Sequence, residues 1–279
     1  RSADPNGVNT SEGAAYLVFG RPAAQFTAAS LDFNGLTGTE GTRFDGASTG
    51  SQAGRAVAGL GDVNGDGFGL GWYGERERPG VFRDIRPAWS DDNLLSISHQ
   101  IRSRLFVAHV RASTGTASTR SNCHPFSVGP WLFMHNGQIG GYERIKRRLE
   151  LEIPDDLYAH RNGTTDSEIL FLLLLANGFD QDPLAAFHRT LCVVQQHMWD
   201  AGTAAPLRMT AAITKGDAIW AIRFASDGQP PTLYTKLLAD SKGMLVVSEP
   251  LDGESEGWIA VPPQHVIAVT PGRVNHCRI

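Results

Sequence analysis

The sequence predicts a layered α+β domain over residues 68–279, preceded over residues 1–67 by a Gly-rich, mostly β segment. Three observations carry this. The apolar segments after Phe68 read as strands, then helices, then strands, which suits stacked layers rather than alternating βαβ units. The texture changes at Phe68, from Gly, Ser, Thr, Ala and Asn with few helix signals to longer apolar runs. With 41% hydrophobic and 19% charged residues, 279 residues can bury a sizeable core.

In chain order, Ala14 to Phe19 (AAYLVF) reads as a buried strand stopped by Gly20, Arg21 and Pro22. Gly35 to Gly50 is turn-rich, and Arg55 to Leu60 is a short strand ending at Gly61. Strands follow at Leu70 to Tyr73 and Pro79 to Phe82, then a polar helix around Asp91 to Arg102. Leu105 to Val110 is a buried strand leading into the polar loop Arg111 to Arg120, and Trp131 to Met134 is a strand ending on His135-Asn136-Gly137. Helices are expected at Tyr142 to Leu149, Ser167 to Leu175 and Pro183 to Met198. Strands return at Met209 to Ile213, Ala218 to Ala225, Leu233 to Thr235, Met244 to Val247 and Val266 to Val269.

A net charge of -4 without a long basic run argues against nucleic acid or an anionic membrane as main partner. The longest apolar run, Ile169 to Ala176, is too short to span a bilayer. Cys123, Cys192 and Cys277 are odd in number and far apart, which argues against a disulfide framework and for a reducing, cytoplasmic setting. The polar opening from Arg1 has no signal-peptide pattern, and the native start is read as missing.

Four polar clusters carry candidate chemistry. Asp62, Asn64 and Asp66 in DVNGDG place oxygen-bearing side chains at alternate positions around glycine, a spacing that wraps a hard cation such as calcium; the same residues also read as a tight turn. In HVRAST, Arg111 can fork two hydrogen bonds to a carboxylate and Thr114 can add a hydroxyl, or the arginine forms a surface ion pair. His135-Asn136-Gly137 offers an amide beside a closely approachable backbone N–H, an oxyanion hole, or else a type I′ turn. Thr165-Asp166-Ser167-Glu168 is a helix capping box, whose Asp166 carboxylate could instead face an ammonium.

Gly13 to Phe68, with YLVFG, LDFNGLTG and DVNGDG in order, resembles one FG-GAP repeat of integrin-type β-propellers. From about Gly67 onward, HVRAST, NCHPF, FMHNGQIGG and TTDSE resemble the class II glutamine amidotransferases, which are N-terminal-nucleophile hydrolases. DGFGLGWYG and VVSEPLD…GW point to the small stand-alone subgroup, similar to enzymes that hydrolyse γ-glutamyl amides. The resemblance implies a four-layer αββα sandwich with no cofactor in the amidotransferase part. It also implies glutamine or a γ-glutamyl compound as substrate, with a homo- or hetero-oligomer as a possible assembly. It assigns Arg111 and Thr114 to the substrate carboxylate, Asp166 to its amino group, Asn136 and Gly137 to the oxyanion, and His124 to support of the pocket.

The family mechanism implied by this resemblance uses a cysteine at the mature N-terminus, and here the FG-GAP-like segment stands in its place. The chain is therefore read as a chimera joined between Asn64 and Gly69, an amidotransferase-type amidohydrolase that is inactive for want of its nucleophile. Two alternatives stay open. One is a non-catalytic FG-GAP-type calcium-binding or adhesion module, which would suit an extracellular setting. The other is catalysis by Thr10 or Ser11 after trimming, with Gly13 to Phe19 standing in for the first strand.

Overall fold

The computed structural model describes residues 67–111 apart from 87, 89–90, 99, 102 and 104, then 118–238, 243–250, 257–270 and 273–279. It also describes the backbone of three strands, β1 (Ala14–Phe19), β2 (Leu31–Asp32) and β3 (Asp45–Gly46). Asp62, Asn64 and Asp66, Thr114, and the expected strand from Arg55 to Leu60 lie outside the described residues.

Among the described residues, two antiparallel sheets form the centre. The first has seven strands, in the order β13 (Ile259–Ala260), β11 (Tyr234–Leu237), β12 (Met244–Val247), β1, β6 (Leu105–Val110), β4 (Phe68–Trp72) and β5 (Gly80–Asp84). The second has six, in the order β15 (Arg273–Arg278), β14 (His265–Thr270), β10 (Ile219–Ala225), β9 (Leu207–Thr214), β8 (Trp131–Ile139) and β7 (Phe126–Val128). Among the described residues β2 and β3 pair only with each other. Strand β1 forms where the sequence predicts it and is hydrogen-bonded between β12 and β6, in the middle of the larger sheet.

Period-two alternation explains the layering. Leu105 and Val107 of β6 meet Leu132 and Met134 of β8 in the core between the sheets. The intervening residues of the larger sheet, Phe106 and Ala108, pack outward with Phe68, Leu70 and Leu94 of helix α1 (Asp92–Ser98). The outer face of the smaller sheet carries Phe133, Met209 and Ile213 against the helices α2 (Tyr142–Leu151), α4 (Asp166–Ala176) and α5 (Pro183–Asp200). The result is helix, sheet, sheet, helix, the αββα arrangement expected, with α4 and α5 on one outer face.

Local chemistry accounts for the helices. Asp182 caps α5 by accepting from the Ala185 N–H at 3.0 Å, and Pro183 opens the helix where no N–H is needed. Helix α4 is apolar all round, and residues 167–174 are all buried, because it lies between the smaller sheet and its neighbours α2, α5 and α3 (Asp155–Tyr158). Phe171 stacks on Phe133 of β8 with centroids 5.2 Å apart.

The glycines of DGFGLGW also have a structural reason. Phe68 and Leu70 face outward, so Gly69 faces the second sheet; a Cβ there would stand 2.1 Å from the His124 carbonyl oxygen. Strand β4 can approach the His124 carbonyl, just ahead of β7, only because this position is glycine. Among the described residues no helix is long and apolar enough to cross a membrane.

Candidate functional site

The alternation that builds the core also aims the polar groups. Leu105, Val107, His109 and Arg111 share one side of β6 and its extension, so the arginine continues the row that faces the second sheet. Arg111 is buried, and its N–H donates to the Gly67 carbonyl at 2.8 Å, tying the end of β6 to the start of β4. The opening ends of β1 and β4 both lie beside this point, because Ala14 and Phe68 each pair with Val110.

On the facing sheet, His135-Asn136-Gly137 lies inside β8. Asn136 pairs with Thr210 and Gly137 with Met209, so the Asn-Gly is not a hairpin turn. Asn136 shares the inward row of Leu132 and Met134. It is buried, and its side-chain amide makes no hydrogen bond among the described residues. Gly137 has φ +140°, and a Cβ on it would stand 2.1 Å from the Arg208 carbonyl oxygen, so only glycine fits this backbone.

Asp166, the first residue of α4, reaches the same strand. Its Oδ2 accepts from the Ile139 N–H at 2.8 Å, and its Oδ1 accepts from the Ser167 N–H at 2.8 Å. A carboxylate has about four acceptor positions, so both oxygens retain room for a cationic donor. The Thr165 side chain caps α4 by accepting from the Glu168 N–H at 3.3 Å. The Glu168 carboxylate does not complete the capping box; it accepts from Asn162 N and Gly163 N at 2.9 and 2.7 Å and pairs with Arg161 at 3.5 Å.

Three histidines underlie this region. His109 and His124 lie against each other, tilted by 36° with centroids 4.2 Å apart, and His124 meets the edge of Phe126 at 4.7 Å. No ring nitrogen of either has a hydrogen-bond partner among the described residues. Burial pushes the His109 imidazole down to about 3, opposed by the polar backbone of His135 and helped by repulsion from the His135 ring and Arg111. Burial also holds His124 well below its ordinary 6.5, with repulsion from His109, His135, Arg111 and Arg83 added to it. Both are therefore neutral near pH 7. His135 lies on the helix side of β8, its Nδ1 2.8 Å from Ser167 Oγ and its Nε2 3.2 Å from the Arg208 carbonyl. Burial lowers its pKa, opposed by the Asp166 charge and the bond to the Arg208 carbonyl.

The structure thus brings Asn136, Gly137 and Asp166 onto one stretch of β8, and Arg111 and His124 onto the histidine cluster beside it. Cys123 is buried, its thiol 3.4 Å from the Thr119 carbonyl oxygen and 3.6 Å from that of Asp84. Among the described residues no group of His, Cys, Asp and Glu is arranged to hold a metal ion. The sequence reading gave no role to His109, His135 or Ser167. Alternation along β6 puts His109 on the face of Arg111, but the partnership of His135 with Ser167 depends on where α4 packs.

Comparison with known proteins bears on the family and the fold. A family model described as "Glutamine amidotransferases class-II" matches residues 48–226. The probable glutamine amidotransferase DUG3 of Saccharomyces cerevisiae is 30% identical over 249 residues, covering 74% of this chain and 70% of its own. The gamma-glutamyl-hercynylcysteine sulfoxide hydrolase of Mycolicibacterium smegmatis is 27% identical over 214 residues, covering 76% and 81%. A glutamine aminotransferase class-II domain protein from Silicibacter pomeroyi superposes with a TM-score of 0.70 at 29% identity, covering 95% of this chain and 98% of that one. The glutamine phosphoribosylpyrophosphate amidotransferase of B. subtilis shares the fold, with a TM-score of 0.54 at 13% identity over 95% of this chain and 49% of that one.

Proposed function

The chain belongs to the class-II glutamine amidotransferases, and on that premise we propose that its site acts on the γ-amide of glutamine or of a γ-glutamyl compound. The observation that carries this reading is the placement of Asn136-Gly137 in mid-strand, with the Asp166 carboxylate bonded two residues further along the same strand. A γ-glutamyl group carries a carboxylate, an ammonium and a reacting carbonyl, and each needs its own fixed partner.

In this proposal Arg111, with Thr114, takes the α-carboxylate, and Asp166 takes the α-ammonium. The Asn136 amide and the Gly137 N–H receive the carbonyl oxygen as it gains negative charge. Such preformed donors act most strongly where charge develops in the transition state. His124, neutral and without hydrogen-bonding neighbours among the described residues, backs the pocket through packing rather than charge.

The covalent route of this family starts from a cysteine thiolate that attacks the amide carbon and releases ammonia, after which water frees the glutamate. In this sequence the first cysteine is Cys123, which is buried; Cys192 and Cys277 are exposed on α5 and β15. None stands at the head of β1 or β4, the strands that begin beside Arg111. A polypeptide of this sequence is therefore proposed to bind the γ-glutamyl group and to hydrolyse it slowly.

The test measures glutamate and ammonia release from L-glutamine and from a γ-glutamyl peptide. Little turnover is expected from the chain itself. Substantial release is expected when residues 1–67 are replaced by a first strand that begins at a processed cysteine. Robust turnover by the original chain that survives substitution of Thr10, Ser11 and Cys123 would contradict the covalent route, and a repaired chain without turnover would contradict the substrate assignment.

A further inference from the structure

We infer that Ser167 and His135 are positioning residues that hold the Asn136-Gly137 peptide in its oxyanion-binding geometry; the inference rests on the reading of that peptide given above. The hydrogen bonds fix the protons. The Arg208 carbonyl oxygen can only accept, so the hydrogen of a neutral His135 resides on Nε2, 3.2 Å away. Its Nδ1 is then an acceptor, and the Ser167 hydroxyl, 2.8 Å away, donates to it. The hydroxyl proton spent on His135 cannot also serve Asp166 Oδ1, which lies at 3.4 Å from Ser167 Oγ.

These hydrogen bonds run under a glycine whose backbone tolerates no side chain. A Cβ on Gly137 would stand 2.1 Å from the Arg208 carbonyl oxygen and 2.9 Å from His135 Nε2. The imidazole therefore sits against the Gly137 peptide and is bonded to the same carbonyl that crowds it. On the far side of that peptide, Ile139 N–H is bonded to Asp166, the neighbour of Ser167. The first two residues of α4 thus clamp β8 on both sides of Asn136-Gly137. Helix α4 is anchored independently by Phe171 on Phe133, so the clamp transmits a rigid register from helix to strand. Ser167 and His135 need touch no substrate to do this.

The experiment uses the full 279-residue chain and two ligands, L-glutamine and L-norvaline. Both carry the α-carboxylate and α-ammonium, but only glutamine has the side-chain carbonyl. Calorimetric titration is expected to show that the chain prefers glutamine. It should also show that Ser167→Ala lowers the preference about tenfold, the scale of one well-formed hydrogen bond, with norvaline affinity nearly unchanged. Ser167→Thr, which keeps the hydroxyl, should restore it. Nitrogen-15 NMR of the imidazoles should find His135 protonated on Nε2 in the parent chain, with an Nδ1 signal that moves in Ser167→Ala and returns in Ser167→Thr. A parent chain that prefers glutamine, with a preference untouched by Ser167→Ala, overturns the positioning role alone. A parent chain that does not distinguish the ligands overturns the oxyanion reading and the inference with it.

Discussion

Removing one titratable ring from the buried histidine pair, His109→Phe, should flatten the acid dependence of stability. The structure sets the size. Burial pushes the His109 imidazole from its ordinary 6.5 down to about 3, so the folded chain keeps it neutral while the unfolded chain protonates it. A depressed histidine pKa means that the unfolded state binds the extra proton. Stability is therefore full above about pH 6.5 and falls as pH drops toward about 3, by about 1.4 kcal/mol per pH unit. Between about pH 6.5 and pH 5 the loss from His109 is about 2 kcal/mol. His124, also held well below 6.5, adds to the loss in the same window. Against a total stability of ~5–15 kcal/mol, the pair should make the fold lose stability in acid before the carboxylates matter. Asp84 and Asp227, whose pKa values lie below 3.8, lose their contribution only at lower pH. The assay is urea unfolding at several pH values across that window. His109→Phe should reduce the slope of stability against pH by about 1.4 kcal/mol per unit, whatever it does to stability at neutral pH. An unchanged slope, or a parent chain whose stability is flat over this range, would refute the neutral buried pair.

Gly137→Ala should destabilise the fold by at least about 2 kcal/mol, from positive-φ strain plus overlap with the Arg208 carbonyl, as read from denaturant melts. Arg111→Ala should weaken L-glutamine binding about 10- to 100-fold by calorimetry, since it removes a charge-assisted contact to the carboxylate. In the chain repaired with an N-terminal cysteine, Asn136→Ala should lower turnover by about 3 kcal/mol in barrier while leaving KM nearly constant. Tyr73→Phe should cost about 1–3 kcal/mol in thermal stability, because the Tyr73 hydroxyl lies 2.8 Å from both the Pro130 and Thr214 carbonyl oxygens and serves the loop and strand together.

Strands and helices with a strong apolar period were legible from the residues. Ala14–Phe19, Leu105–Val110 and Met244–Val247 form at the expected bounds, and α2, α4 and α5 at nearly the expected ones. Strand β8 was read too short, because His135-Asn136-Gly137 carries a turn's composition. Pairing with Thr210 and Met209 keeps it extended, an outcome that only the neighbouring strand decides. Strand β15 was missed because RVNHCR is polar and mostly exposed, an edge held by its ladder to β14 rather than by burial. The helix after Asp91 is shorter than expected, ending at Ser98. Among the candidate site residues, Arg111, Asn136, Gly137 and Asp166 could be named in the sequence through the family resemblance. The Ser167–His135 bond and the His109–His124 contact could not, since they join residues brought together by tertiary packing across different elements.

The most direct test of the γ-glutamyl reading is a crystal structure of the chain with L-glutamine bound. The account predicts the α-carboxylate on the Arg111 guanidinium, the α-ammonium on Asp166, and the side-chain carbonyl oxygen on the Asn136 amide and the Gly137 N–H. Glutamine bound elsewhere, or bound here with Arg111 and Asp166 both unengaged, would contradict it.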